Sequence, residues 1–327
     1  MVNVLIEIKM KKYIYYFPIF IALLVLNSCM SSYSKYPHIN KIEDLAYPFE
    51  TKKVMLKNGI SIAYTEQGQG KETILFIHGL ASYMPAWKKN IEVLSKTYRC
   101  IAIDLPGYGK SSKGAYECSM DFFATSIKEM MDSKGISSYY VAGHSMGGQI
   151  SMVMALKYPN TVKGLILTAP AGFETFTEGE KQWFREAVTA KATYLTPVEQ
   201  IQTNFGANFN ALPADAEFMI TDRIAMRDAV DFEAFCYVIP QSVQGMVNTP
   251  VYDELPKIKQ PCIVIFGSND NLIPNRYLHG GTTLKIAQQG ASRLPNCKKV
   301  VMIPNAGHFV QWEGSDLFNQ SVLEFVK

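Results

Sequence analysis

The stretch Tyr140–Gln149, YVAGHSMGGQ, carries an apolar run into a serine that has a glycine two residues to either side. It reads as the end of a strand, a sharp turn at Ser145 and the start of a helix. A strained turn of this kind projects the serine hydroxyl above the sheet, and side chains at Gly143 and Gly147 would collide there. Free N–H groups at the start of a helix favour negative charge. The stretch therefore predicts a nucleophile at Ser145 and an oxyanion donor at the Met146 N–H.

Strand-like and helix-like segments alternate on both sides of this stretch. Eight runs read as strands, and helical patterns separate most of them. Runs that are apolar almost throughout are typical of parallel strands with both faces covered by helices. The first two runs flank Asn58-Gly59, which predicts a hairpin with a type I′ turn. The predicted fold class is α/β, with a mostly parallel, eight-stranded, doubly wound sheet.

The interval 174–256 interrupts this alternation and is rich in aromatic residues within helical-looking segments. A connection of this length is too long for a simple loop in a compact domain. We interpret it as a helical cap, inserted into a core that consists of residues 51–173 and 257–327.

Two further residues complete a candidate catalytic set. A serine hydroxyl needs a base to become a nucleophile, and the base needs an acid to orient it. Asp270 follows the strand-like run PCIVIFG, and His308 follows the run KKVVMIP. Functional groups of parallel sheets gather at the carboxyl ends of the strands, and the chain order Ser, Asp, His is one of the known triad orders. We therefore predict Ser145 as nucleophile, His308 as base and Asp270 as the orienting acid.

The loop after an early strand supplies a second candidate oxyanion donor. His78-Gly79 follows the apolar run TILFI. Gly79 lets the backbone come close to the site, and the Leu80 N–H is the predicted donor. His78 could serve as a second base, but we interpret it as a residue that holds this loop.

The N-terminus has a different character. Three lysines at positions 9–12 precede an apolar stretch, residues 13–26, that is short for a membrane-spanning helix and suits a signal peptide. The box LNSC at 26–29 is similar to the cleavage site of bacterial lipoproteins. This resemblance implies a signal peptide over residues 1–28 and a lipid on Cys29. The alternative is an ordinary signal anchor with an incidental cysteine.

Residues 29–50 show no sustained hydrophobic period and are interpreted as a tether. The true start is either Met1 or Met10, since a methionine followed directly by two lysines is a more usual beginning for such a signal. Lipidation at Cys29 would make the membrane a partner of the protein. It would place the protein in the bacterial envelope, facing the periplasm or the surface, with the outer membrane favoured.

Composition excludes a nucleic-acid partner. The formal net charge is +3, and it falls to +1 once residues 1–28 are removed. The cysteines other than Cys29 are odd in number and include no CxxC pair or Cys/His ligand spacing. Those in apolar runs, Cys100 and Cys262, are interpreted as small buried hydrophobes. We expect no metal and no organic cofactor, and we expect a monomer. The five cysteines are Cys100, Cys118, Cys236, Cys262 and Cys297.

Residues 52–327 resemble the single-cap branch of the α/β-hydrolases. The resemblance rests on HG at 78–79, DLPGYGKS at 104–111, GHSMGG at 143–148, GSNDNLIP at 267–274 and GHFVQWE at 307–313. It implies the triad and the two backbone donors named above, with Gly143 and Gly147 supporting the turn. It also implies that DLPGYGKS is a structural turn, because the first glycine that a phosphate-binding loop requires is replaced by Asp104.

The favoured reaction is hydrolysis of small-molecule carboxylic esters that carry small or medium apolar acyl groups. Carbon–carbon hydrolases of vinylogous diketones are similar, but they typically have Asn at the position of His144 and Trp at that of Phe309. Iminopeptidase-like amidases usually have Trp at the position of Met146. An envelope binding protein on a hydrolase scaffold is the non-enzyme alternative. A carbon–carbon hydrolase would need a cation far from the triad, and the cap offers Arg185, Arg223 and Arg227.

Overall fold

The computed structural model describes residues 35–327, and the eight strands in this part of the chain form one sheet. The strands lie side by side in the order β1-β2-β4-β3-β5-β6-β7-β8. β2 is antiparallel to both of its neighbours, and the remaining pairs are parallel. The predicted fold class is therefore confirmed. The strands are β1 (Lys52–Met55), β2 (Ser61–Gln67), β3 (Thr73–Ile77), β4 (Arg99–Ile103), β5 (Tyr139–His144), β6 (Val162–Thr168), β7 (Cys262–Gly267) and β8 (Cys297–Ile303).

Helices cover the sheet, and every residue of β3, β5 and β7 is buried. Such burial requires cover on both faces, which explains why these strands are apolar throughout. The helices are α1 (Lys88–Leu94), α2 (Met120–Ser133), α3 (Met146–Lys157), α4 (Glu178–Ala187), α5 (Ala190–Leu195), α6 (Val198–Gly206), α7 (Glu217–Ala225), α8 (Phe232–Asn248), α9 (Thr283–Ser292), α10 (Val310–Glu313) and α11 (Ser315–Phe325).

Helices α4 to α8 follow β6 and precede β7, at the position of the predicted cap. Helix α8 contacts both α4 and α5, so it lies at the centre of this helical group. Helices α4 and α5 have no buried residue, whereas α8 buries residues along its whole length. Helix α7 also buries four residues, and Asp222 on it accepts from the Tyr83 hydroxyl over 2.6 Å, so α7 and α8 both attach the cap to the core.

The predicted hairpin at the N-terminal edge of the sheet is present, but its turn differs from the predicted type. Met55 of β1 lies opposite Ser61 of β2. Gly59 has a φ of 82°, whereas Asn58 keeps a negative φ. A type I′ turn needs positive φ at both central residues, so the prediction of that type is wrong. The Leu56 N–H donates to the carbonyl of Ile60 over 2.8 Å, which closes a three-residue loop ending in a left-handed glycine.

Residues 39–50 belong to the same compact unit as the sheet and the cap. The side chain of Ile42 is buried, and its N–H donates to Asp231 Oδ1 over 3.0 Å. The Tyr47 hydroxyl donates to Asp104 Oδ2 over 2.8 Å. The prediction that these residues form part of a tether is wrong, because isolated apolar and aromatic side chains anchor the segment without any sequence period.

The predicted signal peptide 1–28, the lipidation site Cys29 and residues 30–34 of the predicted tether lie outside the described residues. Within residues 35–327, none of the helices combines the length and the apolar character that crossing a bilayer requires.

Candidate active site

Ser145 occupies a strained turn between β5 and α3. Its φ is 53° and its ψ is −118°, a conformation that residues with a side chain rarely adopt. The Ser145 N–H donates to the carbonyl of Thr168 in β6 over 2.9 Å. The Ser145 carbonyl accepts from the N–H groups of Gly148, over 2.8 Å, and Ala171, over 2.9 Å. These bonds to the neighbouring strand and the following loop hold the strained backbone in place.

The glycines around Ser145 are required for different reasons. A Cβ on Gly143 would overlap the carbonyl oxygen of Gly147 and the hydroxyl of Ser151. A Cβ on Gly147 would overlap the carbonyl oxygen of Ile77, at the end of β3. The collision expected from the sequence therefore exists. Position 147 requires glycine, however, because α3 starts directly against the end of the neighbouring strand β3.

Asp270 and His308 lie at the carboxyl ends of β7 and β8 and are joined by a hydrogen bond. His308 Nδ1 lies 2.8 Å from Asp270 Oδ2, and both side chains are buried. Asp270 Oδ1 accepts from the N–H groups of Leu272, over 2.8 Å, and Ile273, over 3.1 Å. Because a carboxylate accepts, the bond places the imidazole proton on Nδ1 and leaves Nε2 as the basic nitrogen.

His144, which directly precedes Ser145, contacts this pair. Its Nε2 lies 2.9 Å from the backbone carbonyl of His308, and the two rings are 4.8 Å apart. Burial, together with the nearby His308, holds the pKa of His144 well below its ordinary value. The His144 ring is therefore neutral, and its single N–H proton lies on Nε2, which donates it to the His308 carbonyl. A role of His144 in positioning the base could not be predicted from local sequence, because its partner is a backbone group 164 residues away.

The loop after β3 approaches the serine closely. The Ser82 N–H donates to the Gly79 carbonyl over 3.2 Å, which forms a tight turn around Leu80. A Cβ on Gly79 would lie 3.0 Å from the Cβ of Ser145, closer than nearly all real contacts. Among the described residues, no hydrogen bond uses the N–H of Leu80 or of Met146. Both predicted oxyanion donors are therefore free to bind a ligand atom.

His78 supports this loop from below. Its Nδ1 lies 2.8 Å from the Gly79 carbonyl, and its Nε2 accepts from the Leu105 N–H over 3.1 Å. Burial lowers the pKa of His78 to about 4, so the ring is neutral near pH 7. Both nitrogens are engaged by the backbone. This arrangement suits a residue that holds the loop and leaves no nitrogen for a second base.

The segment DLPGYGKS folds around the carboxylate of Asp104. Asp104 Oδ2 accepts from the Lys110 N–H over 2.7 Å, and Oδ1 accepts from the Met84 N–H over 2.7 Å. A Cβ on Gly109 would overlap the same carboxylate. The Asp104 carboxyl group fills this turn, so no space is left in it for a phosphate.

A cavity of about 580 Å³ lies between this edge of the sheet and the cap. Ser145, His308 and Leu80 line it, and Asp270 lies behind His308. The volume suits a small organic ligand. Most of the cap residues that line it are apolar, among them Val188, Ile201, Phe205, Phe232, Val243, Met246 and Val247.

Two further polar residues that line the cavity, Glu174 and Asn275, were missed by sequence reasoning. Glu174 Oε1 accepts from the Asn275 N–H over 2.8 Å and lies 2.7 Å from His279 Nδ1. His279 Nε2 lies 3.1 Å from Glu180 Oε1. These residues join the start of the cap to the loop after β7, and no local pattern marks contacts across about a hundred residues.

Of the three cap arginines considered as cation sites, Arg223 lines the cavity. Its guanidinium donates to the Ala81 carbonyl and lies 4.4 Å from the centre of the Phe235 ring. Burial lowers the pKa of Arg223 to about 10, so it stays charged near pH 7. Arg185 is exposed and donates to Gln182, and Arg227 donates to the Thr196 carbonyl.

Phe309, where the carbon–carbon hydrolases typically have Trp, closes the cavity beside the base. It stacks on Phe209 with ring centres 5.1 Å apart and lies 4.9 Å from the ring of His144. In the part of the chain that the structure covers, no group of three His, Cys, Asp or Glu side chains is arranged as a metal site.

The fold and the site together indicate a hydrolase with an α/β fold, and comparison with known proteins supports this class. Residues 72–315 match the family model described as the alpha/beta hydrolase fold, so the chain belongs to this family.

The individual relatives include hydrolases and transferase components. The chain is 28% identical over 287 residues to a 2-hydroxy-6-oxononadienedioate/2-hydroxy-6-oxononatrienedioate hydrolase of Paraburkholderia phymatum, covering 82% of this chain and 91% of the relative. It is 28% identical over 286 residues to the dihydrolipoyllysine-residue acetyltransferase component of the acetoin cleaving system of Cupriavidus necator, covering 85% of this chain and 68% of the relative. The solved structure of a probable hydrolytic enzyme from Pseudomonas aeruginosa shares the fold, with a TM-score of 0.79, 24% identity and coverage of 89% and 99% of the two chains.

Proposed function

We propose that the protein is a serine hydrolase that cleaves carboxylic esters of small or medium apolar acyl groups. The observation that carries the proposal is the hydrogen bond between His308 and Asp270 at the edge of the cavity that Ser145 lines. A partly exposed nucleophile candidate and a buried base candidate on one cavity suit acyl transfer. Family membership supports hydrolysis as the general reaction.

In the proposed mechanism, His308 Nε2 removes the proton of Ser145 Oγ as the oxygen attacks the ester carbonyl. Asp270 holds the imidazole and stabilises its positive charge. The N–H groups of Leu80 and Met146 bind the oxyanion. His308 then protonates the leaving alcohol, and water hydrolyses the acyl-enzyme with the same base.

The predominance of apolar side chains in the cap part of the cavity favours an apolar acyl group. A peptide would leave several backbone polar groups unpaired against that surface, at about 1–3 kcal/mol each. An ester has fewer such groups, so we place amidase activity below esterase activity.

Carbon–carbon hydrolysis is the second candidate, and Arg223 is the observation that favours it. A partly buried arginine on the cavity could bind the carboxylate of a dienol substrate. The relative from Paraburkholderia phymatum carries a name of that class. Against it, Glu174 adds a carboxylate to the same cavity, and Arg223 already donates to Ala81.

The test is a fluorophosphonate probe combined with a substrate panel. The probe should label the purified protein at Ser145, and Ser145→Ala should lose both the label and most of the ester turnover, while Ser133→Ala on α2 keeps both. The panel contains p-nitrophenyl esters of graded acyl length, an aminoacyl arylamide and a vinylogous 1,5-diketone. Labelling at another residue refutes the nucleophile assignment. A higher kcat/KM for the diketone or the arylamide refutes the esterase assignment.

We also propose that a lipid on Cys29 holds the enzyme on the bacterial envelope. The basic, apolar and LNSC segments of the leader support this proposal. Processing of a lipoprotein attaches enough acyl chains for stable anchoring. The Cys29→Ser variant should lack the lipid and the mass that the lipid adds to the protein. It should also no longer be found in the membrane fraction. Equal membrane binding without processing would indicate an uncleaved anchor.

A further inference from the structure

Two cysteines lie side by side at the amino ends of the last two strands. Cys262 is the first residue of β7 and Cys297 the first of β8, and the two are register partners in the parallel pairing. Neighbouring strands lie about 4.8 Å apart, within the range of Cα separations that a disulfide spans. The register shifts by one residue directly after this pair, between Cys262 and Ile263. The two thiols nevertheless lie within hydrogen-bonding distance of each other, so the strand ends bring them together.

The environments of the two thiols differ in a way that suits exchange chemistry. Cys262 is buried, whereas Cys297 is partly exposed on the edge strand. A hydrogen bond from the Cys262 thiol lowers the pKa of Cys297, and the same bond, with burial, raises the pKa of Cys262. The accessible sulfur is thus the more acidic one, and the buried sulfur lies behind it.

The other described cysteines lack this arrangement. Cys100 in β4 has Gln67 and Ile74 as its register partners. Cys118 lies near the start of α2 and Cys236 within the cap helix α8, and both are buried. Burial alone raises the pKa of Cys100, and burial chiefly raises those of Cys118 and Cys236, so these three thiols are poor nucleophiles.

We propose that Cys262 and Cys297 form a reversible disulfide that joins β7 to β8. The oxidant is a low-molecular-weight disulfide. The Cys297 thiolate attacks one sulfur of that disulfide, whose S–S bond breaks and whose other half leaves as a thiol after taking a proton. The Cys262 thiol then loses its proton to solvent and attacks the Cys297 sulfur, which releases the second half. Two protein thiols are oxidised, and one external disulfide is reduced to two thiols.

The bond would act on the elements that carry the base and its acid. β7 leads into Asp270 and β8 leads into His308, while the two cysteines lie at the opposite ends of these strands. Within residues 35–327, β8 is an edge strand whose strand partner is β7 alone. A cross-link between residues 262 and 297 would restrict the unfolded chain and keep β8 attached to β7 on heating. The active site itself would remain unchanged.

The test uses the full chain, equilibrated under native conditions in glutathione buffers of increasing oxidised-to-reduced ratio. The samples are quenched in acid, denatured and alkylated. Tryptic fragments 260–276 and 294–298 should appear as one cross-linked species, with two thiols lost. Esterase activity at 25 °C should be the same in both forms, and the midpoint of thermal unfolding should be about 5 °C higher in the oxidised form.

The variants Cys297→Ser and Cys262→Ala should each remove both the cross-linked species and the gain in unfolding temperature. The control Cys236→Ala should retain both. A glutathione adduct on Cys297 that never resolves, a cross-link to another cysteine, or equal unfolding temperatures for the two forms would each overturn the proposal. The two readouts that decide the proposal, mass and unfolding temperature, are independent of whether the protein hydrolyses esters.

Discussion

His144 donates its Nε2–H to the backbone carbonyl of His308 across 2.9 Å, so the residue before the candidate nucleophile holds the residue proposed as its base. His308 is thus fixed from two directions, by its ring on Asp270 and by its backbone on His144. The turn at Ser145 and the loop after β8 cannot move independently while this bond persists. Two segments from distant parts of the chain behave as one rigid unit.

Removing the His144 ring should loosen this unit. We expect His144→Ala to lower kcat by up to about 100-fold, because small displacements of a base are costly, with a smaller effect on KM. His144→Asn, whose shorter side chain keeps a donor, should lose less. Steady-state kinetics on a p-nitrophenyl ester check the ranking. Equal loss in both variants would mean that bulk, and not the hydrogen bond, positions His308.

Replacing the carboxylate of Asp270 should damage catalysis without unfolding the protein. In Asp270→Asn, the amide can donate to His308 Nδ1 and stabilises the wrong tautomer, so kcat should fall on the order of 10⁴-fold. Asp253→Asn is the matched control, since Asp253 is exposed and pairs with Arg293 on the surface. Circular dichroism verifies the fold. A loss below tenfold would show that Asp270 does not orient the base.

Acidification should destabilise the fold through two buried histidines. The pKa of His78 is about 4 and that of His144 is well below its ordinary value, both chiefly because of burial. Below about pH 6.5 these two histidines bind protons in the unfolded chain but stay neutral in the folded protein. The free energy of unfolding therefore decreases as the pH is lowered. At pH 5 the loss is about 2 kcal/mol for His78, and His144 adds to it in the same direction. Urea unfolding at pH 7 and pH 5 measures the loss, and His78→Gln should make it smaller by about the His78 contribution.

Two glycines should respond in opposite directions to alanine. In Gly147→Ala the new Cβ would overlap the backbone carbonyl of Ile77, which no side-chain rotation can relieve. We expect a loss of roughly 3 kcal/mol or more, visible as a drop in the midpoint of thermal unfolding. Gly179 in α4 is exposed, with open space around its Cα, so Gly179→Ala should leave stability unchanged or raise it by up to about 1 kcal/mol. Similar midpoints for the two variants would contradict this account of the turn.

Much of the fold followed from local patterns in the sequence. Apolar runs and helical periods identified the eight strands and their order along the chain, because burial on both faces of a strand dictates its composition. The glycines around Ser145 marked the sharp turn, since its backbone excludes larger side chains there. Asp270 and His308 could be proposed because each directly follows a strand, and the structure places them in contact.

Other features depended on which distant segments meet. The residues at 39–50 have no period, yet Ile42 and Tyr47 anchor them to the cap and to Asp104. The His279 bridge to Glu174 and the pairing of Cys262 with Cys297 arise from contacts across 105 residues and from strand register. Local periodicity reports which side of an element is buried, but it carries no information on what covers that side. Strand order, register and the length of each side chain decide which distant residues become partners. These relationships exist only once the chain has folded.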